Sequence, residues 1–328
     1  MKLNPAMHLL DPLSPDLKKA ATREGFGAAV ADIGGKDPDV VALSSDVAGS
    51  VQLHHFMKKY PERFFNVGVA EQNLAAVAAG LAYSGKTAFI GAFASFSPGR
   101  NWEQIRTTIC YGEANVKIQG SHTGLDVGED GATHQMLEDI SLMRCLPGML
   151  VLSPCDYLEA CRATQTAWKT KGPVYIRCTR NKLPAFTTQQ TPFEVGKMNL
   201  LNEGTDIAIV ATGGTVHPSL AAAALLEKEG IAAAVANMHT LSQPDAPALE
   251  TLARQCGRII TVEDHQVKGG LGSAVCEALA ESYPVRVRRH GMQMKFGESG
   301  TGAQVMKKYG LDAAGIAAVA REEMKHKR

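Results

Sequence analysis

The sequence predicts a two-domain α/β protein built on mainly parallel sheets. Short apolar runs of strand length alternate with helical stretches along most of the chain, and a polar, Thr- and Gln-rich stretch near residue 190 cuts that alternation in two. A length of 328 residues accommodates two cores.

Residues 1–20, punctuated by Pro5, Pro12 and Pro15, read as an N-terminal tail. Strands are then expected at 40–43, 64–67, 88–90, 116–118, 150–152 and 174–176, each short and apolar as strands covered on both faces are. Helices are expected between them at 71–83, 102–111 and 156–171, the last opening on Asp156 as N-cap and ending at Gly172-Pro173. The unpatterned stretch from Thr187 to Pro192 marks a boundary, giving a first domain at 21–188 and a smaller α/β domain at 189–328. In the second domain strands are expected at 207–210, 233–235, 259–262 and 285–287, with helices at 219–229 and 272–280.

Thirty-four basic residues against thirty-three acidic ones leave a net charge of +1, with no stripe of Lys or Arg to follow a nucleic acid backbone. A nucleic-acid partner is therefore not expected, while small anionic substrates stay open. The seven cysteines form no CxxC pair and no zinc spacing, so reduced structural thiols are expected. No apolar run reaches the roughly 18–20 residues that span a bilayer, and the segment from Met1 to Asp11 lacks a signal-peptide pattern. The protein reads as cytoplasmic, without membrane contact.

Three segments carry chemistry. In Asn66-Val67-Gly68-Val69-Ala70-Glu71-Gln72-Asn73 a strand ends and an acidic residue opens an apolar helix. Glu71 is either a first-turn carboxylate favoured by the helix dipole or a functional acid. In Gly91-Ala92-Phe93-Ala94-Ser95-Phe96, Phe93 and Phe96 are either core aromatics or the walls of a ring site. The stretch from Gly120 to Gln135 contains GEDGATHQ and concentrates His122, Asp130 and His134 beyond a strand's C-terminal end, where open α/β sheets place ligands. A metal site is the competing reading of these three side chains, although their spacing fits no zinc motif. In the second domain, Glu263-Asp264-His265-Gln266-Val267-Lys268-Gly269-Gly270-Leu271-Gly272 joins a strand to a helix without a GxGxxG dinucleotide pattern.

NVGVAEQNLAAVAAGLA resembles the pyrimidine-binding segment of transketolases, deoxyxylulose-phosphate synthases and the β-subunits of 2-oxo acid dehydrogenases, and GEDGATHQ is similar to the transketolase loop that binds sugar hydroxyls. The resemblance implies a thiamine-diphosphate pyrimidine-binding domain followed by a transketolase C-terminal domain. It gives Glu71 the role of bonding N1′ of the aminopyrimidine, favouring the imino tautomer that removes the thiazolium C2 proton. Phe93 and Phe96 would wall that ring, and Asp46 would lie near the cofactor at the subunit contact. Where many transketolases place a Tyr as a third wall, this chain has Gly99. Asp130 would read the acceptor C2 hydroxyl, His134 would assist at the donor C1 hydroxyl, and His122 would line the channel. Arg23, Ser50, His122 and Arg180 would receive the substrate phosphate, with Arg177 an alternative to Arg180.

Such enzymes hold Mg2+ and the diphosphate through a GDG motif followed by an Asn, and no GDG occurs in this chain. The resemblance thus implies half of an active site, completed by a transketolase N-terminal subunit with a GDG…N motif in an α2β2 heterotetramer. The implied activity is transfer of a two-carbon ketol unit between sugar phosphates, as in the pentose phosphate pathway. The alternatives are a 2-oxo acid dehydrogenase β-subunit, an enzyme like deoxyxylulose-phosphate synthase, or a noncatalytic stabilising partner.

Overall fold

The computed structural model describes residues 1–326 and contains two large sheets flanked by helices, together with a two-stranded one. Ahead of the first sheet come β1 (Lys19–Ala20) and α1 (Thr22–Lys36). The sheet and its helices follow as β2 (Val40–Ser44), α2 (His54–Lys59), β3 (Phe64–Asn66), α3 (Glu71–Tyr83), β4 (Thr87–Phe93), α4 (Trp102–Gln104), β5 (Val116–Ser121), α5 (Asp139–Arg144), β6 (Leu150–Leu152), α6 (Tyr157–Lys169) and β7 (Val174–Arg177). Its six strands pair in the order β3-β2-β4-β5-β7-β6, all parallel. β8 (Leu183–Pro184) closes this half by pairing antiparallel with β1.

The second half runs β9 (Asn199–Asn202), β10 (Ile207–Ala211), α7 (Val216–Glu227), β11 (Ala233–Asn237), α8 (Ala246–Cys256), β12 (Arg258–Gln266), α9 (Leu271–Ala280), β13 (Arg286–Met292), α10 (Gly302–Lys308) and α11 (Ala313–Met324). Its sheet order is β13-β12-β10-β11-β9, parallel except for the edge strand β9. β2, β5, β7 and β10 are buried at every position; β2 and β10 read as nearly continuous apolar runs, while β5 and β7 also bury Lys117, Gln119 and Arg177.

One hydrophobic cluster spans both sheets, joining Leu43, Ile90 and Ile118 to Val210, Ala236 and Ile259. Main-chain bonds also cross the halves, from Ser153 to the His239 carbonyl at 2.8 Å and from Leu241 to the Val151 carbonyl at 2.9 Å. The N-terminal segment is anchored on both: Asn4 N–H donates to the Leu201 carbonyl and Leu10 N–H to that of Phe186, each at 2.9 Å.

The helix expected at 102–111 is only partly α-helical. After α4 the backbone widens into a π-helical turn, Ile105–Cys110. Thr107 and Thr108 hydroxyls bond back to the carbonyls of Glu103 and Gln104, and Tyr83 donates to the Thr108 carbonyl at 2.5 Å, competing with the regular ladder.

Candidate active site

The winding of the first sheet reverses at β2, whose neighbours are β3 on one side and β4 on the other. The crevice beyond the carboxyl ends of strands at such a switch point is where open α/β sheets take ligands. Asp46, Glu71 and His122 follow β2, β3 and β5, and Phe93 is the last residue of β4, so one sheet edge carries all four.

Glu71 is the first residue of α3, whose buried positions Glu71, Leu74, Ala75, Ala78 and Ala79 repeat at helical spacing and turn the carboxylate inward. Its side chain is 2% exposed and needs a cation. Arg100 supplies one: its Nη1 donates to Glu71 Oε2 at 2.5 Å while its own side chain is half exposed. The guanidinium carbon lies 4.9 Å from the Phe96 ring centroid. Asn101 steadies the same turn, donating to the Glu71 carbonyl at 2.9 Å, and its Oδ1 is buried without a partner. Neither residue was singled out from sequence. Their contacts with Glu71 arise only when the segments after β3 and β4 meet, 29 and 30 positions apart.

Phe93 and Phe96 stack with centroids 6.3 Å apart at 24°. His122 lies 3.9 Å from the Phe93 centroid, and His134 meets the edge of Phe96 at 5.5 Å and 83°. The end of β4 and the loop after β5 therefore form one aromatic cluster. Ser95 ties them together, its hydroxyl donating to the His134 carbonyl at 2.9 Å. A β-carbon at Gly99 would sit 2.0 Å from the Ser95 carbonyl oxygen, so the closed turn excludes any side chain where the resemblance expects an aromatic wall.

His122 is buried beside cations. Arg23 Nη1 contacts its Nε2 at 3.4 Å and donates to the Ser50 carbonyl at 2.8 Å. Arg can only donate, so Nε2 is the accepting nitrogen and Nδ1 carries the proton toward Ser121 Oγ at 2.9 Å. Burial, then Arg23, Arg180 and His134, push His122 down to about 3. Because charging the ring is disfavoured, its NMR resonances are expected to stay those of neutral imidazole from pH 8 down to pH 5; a midpoint near the ordinary value of 6.5 would refute this environment.

Arg180 reaches across to the loop, with Nη1 donating to the Val127 carbonyl at 2.8 Å and to Glu129 Oε2 at 2.5 Å. Arg177 takes no part there. It is 4% exposed and committed to Asp139 Oδ2 at 2.9 Å and the Asp264 carbonyl at 2.7 Å, so it is not an alternative to Arg180. Asp130 is exposed near the loop tip, and the exposed Asp46 is held by Asn66, which donates from Nδ2 at 2.8 Å.

The second half buttresses this loop, a role that sequence reasoning did not assign. Asp264 accepts from the backbone N–H of Leu125 at 2.8 Å and of Asp126 at 3.3 Å. Gly124 makes that approach possible, with φ of +73° and no room for a β-carbon, which would lie 2.0 Å from Asp264 Oδ2. Gln135 Nε2 donates to the Glu298 carbonyl at 2.9 Å. Glu263 accepts from Leu271 and Gly272 at the start of α9, and burial raises it to about 7.

Among the described residues, no group of three or more His, Cys, Asp or Glu side chains is placed to hold a metal ion. No described helix is long and apolar enough to cross a membrane. What the crevice offers is a buried carboxylate beside stacked aromatic rings, with imidazoles and guanidinium groups further along the same edge. That donor set suits a planar nitrogen heterocycle bonded at one edge and an anionic group nearby.

A family model for the transketolase pyrimidine binding domain matches residues 18–185, and one for the transketolase C-terminal domain matches residues 196–316. A putative transketolase C-terminal section from Methanocaldococcus jannaschii is 42% identical over 306 residues, spanning 92% of this chain and 96% of the relative. One of the subunits of an apulose-4-phosphate transketolase from Phocaeicola vulgatus is 38% identical over 306 residues, covering 93% of this chain and 98% of that one. Among solved structures, a split gene transketolase described as an inactive β4 tetramer aligns at a TM-score of 0.87 and 44% identity, over 94% of this chain and 99% of the other. The chain therefore belongs to the transketolase family of thiamine diphosphate-dependent enzymes.

Proposed function

We propose that the chain is the pyrimidine-side subunit of a transketolase that moves a two-carbon ketol unit from a ketose phosphate to an aldose phosphate, and that it acts only with a partner carrying the Mg2+ and diphosphate site. The single observation that carries this reading is the convergence of Glu71, Phe93, Phe96, His122 and His134 on one sheet edge. Relatives of similar length named as a transketolase section and a transketolase subunit support the need for a partner.

The buried Glu71 carboxylate and the Phe93–Phe96 pair suit the aminopyrimidine half of thiamine diphosphate, which when bound supplies the carbon nucleophile that carries the two-carbon unit. Glu71 exchanges a proton at its carboxylate with the ring edge. His134 and Asp130 orient the sugar hydroxyls. His122, neutral with an accepting Nε2, lines the path, while Arg23 and Arg180 hold the phosphate, with Ser50 beside them. In net terms the C2–C3 bond of the ketose breaks, an aldose two carbons shorter leaves, and the acceptor aldehyde becomes a ketose two carbons longer. The Phocaeicola relative is named for apulose 4-phosphate, which makes the choice of sugar phosphate the part of this reading to test most widely.

The test is reconstitution of the purified chain with a GDG…N subunit, thiamine diphosphate and Mg2+, followed by assay of xylulose 5-phosphate with ribose 5-phosphate and then of a panel of other ketose phosphates. Transfer that requires both chains is the expected result. Absence of transfer from every ketose, with the complex assembled and the cofactor bound, would refute it.

A further inference from the structure

Arg100 pairs with Glu71 but has no part in the function proposed above, and its geometry is specific. A guanidinium is a flat, delocalised group whose N–H edge bonds carboxylates and whose face stacks on aromatic rings. Arg100 does both at once, on Glu71 at 2.5 Å and over Phe96 at 4.9 Å. On the reading of Glu71 and Phe96 proposed above, the aminopyrimidine ring, also flat and nitrogen-edged, would make those same two contacts. The Glu71 side chain is buried, and Arg100 occupies its Oε2 and lies over Phe96, the two contacts that the ring would take on that reading.

We propose that Arg100 is a positioning residue that stands in for the cofactor ring: it neutralises and orients Glu71 in the cofactor-free subunit and is displaced when thiamine diphosphate is loaded. The exposure of the pair favours this exchange. Glu71 is 2% exposed and fixed at the start of α3, whereas the Arg100 side chain is 50% exposed and can swing into solvent at little cost. A buried carboxylate left alone would be penalised, and the latch offsets that penalty in the empty site. The closed turn at Gly99 aims Arg100 at this point, since a side chain at residue 99 would collide with the Ser95 carbonyl.

The proposal rests on Glu71 and Phe96 forming the ring site, and one experiment separates the two. Thiamine diphosphate is titrated by calorimetry, with Mg2+ present, into the reconstituted complex containing wild-type chain, Arg100→Gln or Glu71→Gln. Removing the competitor is expected to tighten cofactor binding about threefold to fivefold in Arg100→Gln, the scale of one partly exposed ion pair. In Glu71→Gln binding is expected to weaken. Unchanged or weaker binding in Arg100→Gln, with Glu71→Gln impaired, would overturn the latch and leave the ring site standing. Unchanged binding and unchanged transfer in Glu71→Gln would instead overturn the ring site on which the latch depends. Because Arg100 is half exposed, its loss is not expected to unfold the chain, and circular dichroism of the variant checks this.

Discussion

Replacing Glu71 with glutamine is expected to lower kcat of the reconstituted enzyme roughly a thousandfold at saturating cofactor, the scale of one positioned acid or base. Glutamine matches the shape of the carboxylate but cannot take or return the proton. Fold stability is expected to change by no more than about 1 kcal/mol, because a buried charge is removed while its partner Arg100 already faces water. Steady-state assay of the variant against the wild-type complex, with urea unfolding in parallel, separates the two effects. A loss smaller than tenfold would move proton handling to another group.

The reason that so large an effect rests on one residue was partly legible in the sequence. The helix expected at 71–83 is α3 residue for residue, because its alanine- and leucine-rich face repeats at 3.6 and nothing interrupts it. Most strands of the first sheet were legible for a similar reason, since strands covered on both faces leave short, largely apolar runs, whereas the edge strand β3 is partly exposed and β5 and β7 bury Lys117 and Arg177. By contrast, α1 was not anticipated. Its sequence, TREGFGAAVADIGGK, carries four glycines, each a poor helix former. Tertiary contact overrides that preference: a β-carbon at Gly25 would lie 2.4 Å from the Tyr157 carbonyl, so Gly25 lets α1 lie against α6, while Gly27 and Gly34 let it approach Gln52, Phe56 and Tyr60.

The site divides along the same line. Glu71, the two phenylalanines and the GEDGATHQ loop were recognisable because each is a local string. Arg100, Asn101 and the loop-bracing role of Asp264 were not, since each acts on a residue far away in the chain. Asp264 illustrates this most fully. From sequence it belongs to a strand-to-helix junction in the second domain with no assigned role; in the structure it fixes the first turn of the loop at Leu125 and Asp126, 139 and 138 positions away. Burial raises Asp264 to about 6, while Arg177 and the two backbone donors favour the charged form and oppose that rise.

Arg177 is where the two halves and the loop are tied together, and its replacement is expected to have the largest effect on stability. It sits at the end of β7 with Asp139 at 2.9 Å, the Tyr175 hydroxyl donates to the same carboxylate oxygen at 2.9 Å, and the second guanidinium edge donates to the Asp264 carbonyl at 2.7 Å. Asp139 is fully buried and Arg177 nearly so. Arg177→Met leaves a carboxylate in an apolar interior without its cation, which is expected to cost about 3–5 kcal/mol. The double variant Arg177→Met with Asp139→Leu removes both charges, and much of that loss is expected to return. Urea unfolding of the single and double variants checks both expectations, and a single-variant loss below about 1 kcal/mol would mean that the pair carries no such weight. Because Arg177 holds the backbone of Asp264, whose side chain holds the loop, the single variant is also expected to raise KM for the sugar phosphate. Arg180, three residues on and outside the core, is expected to affect KM while leaving unfolding unchanged.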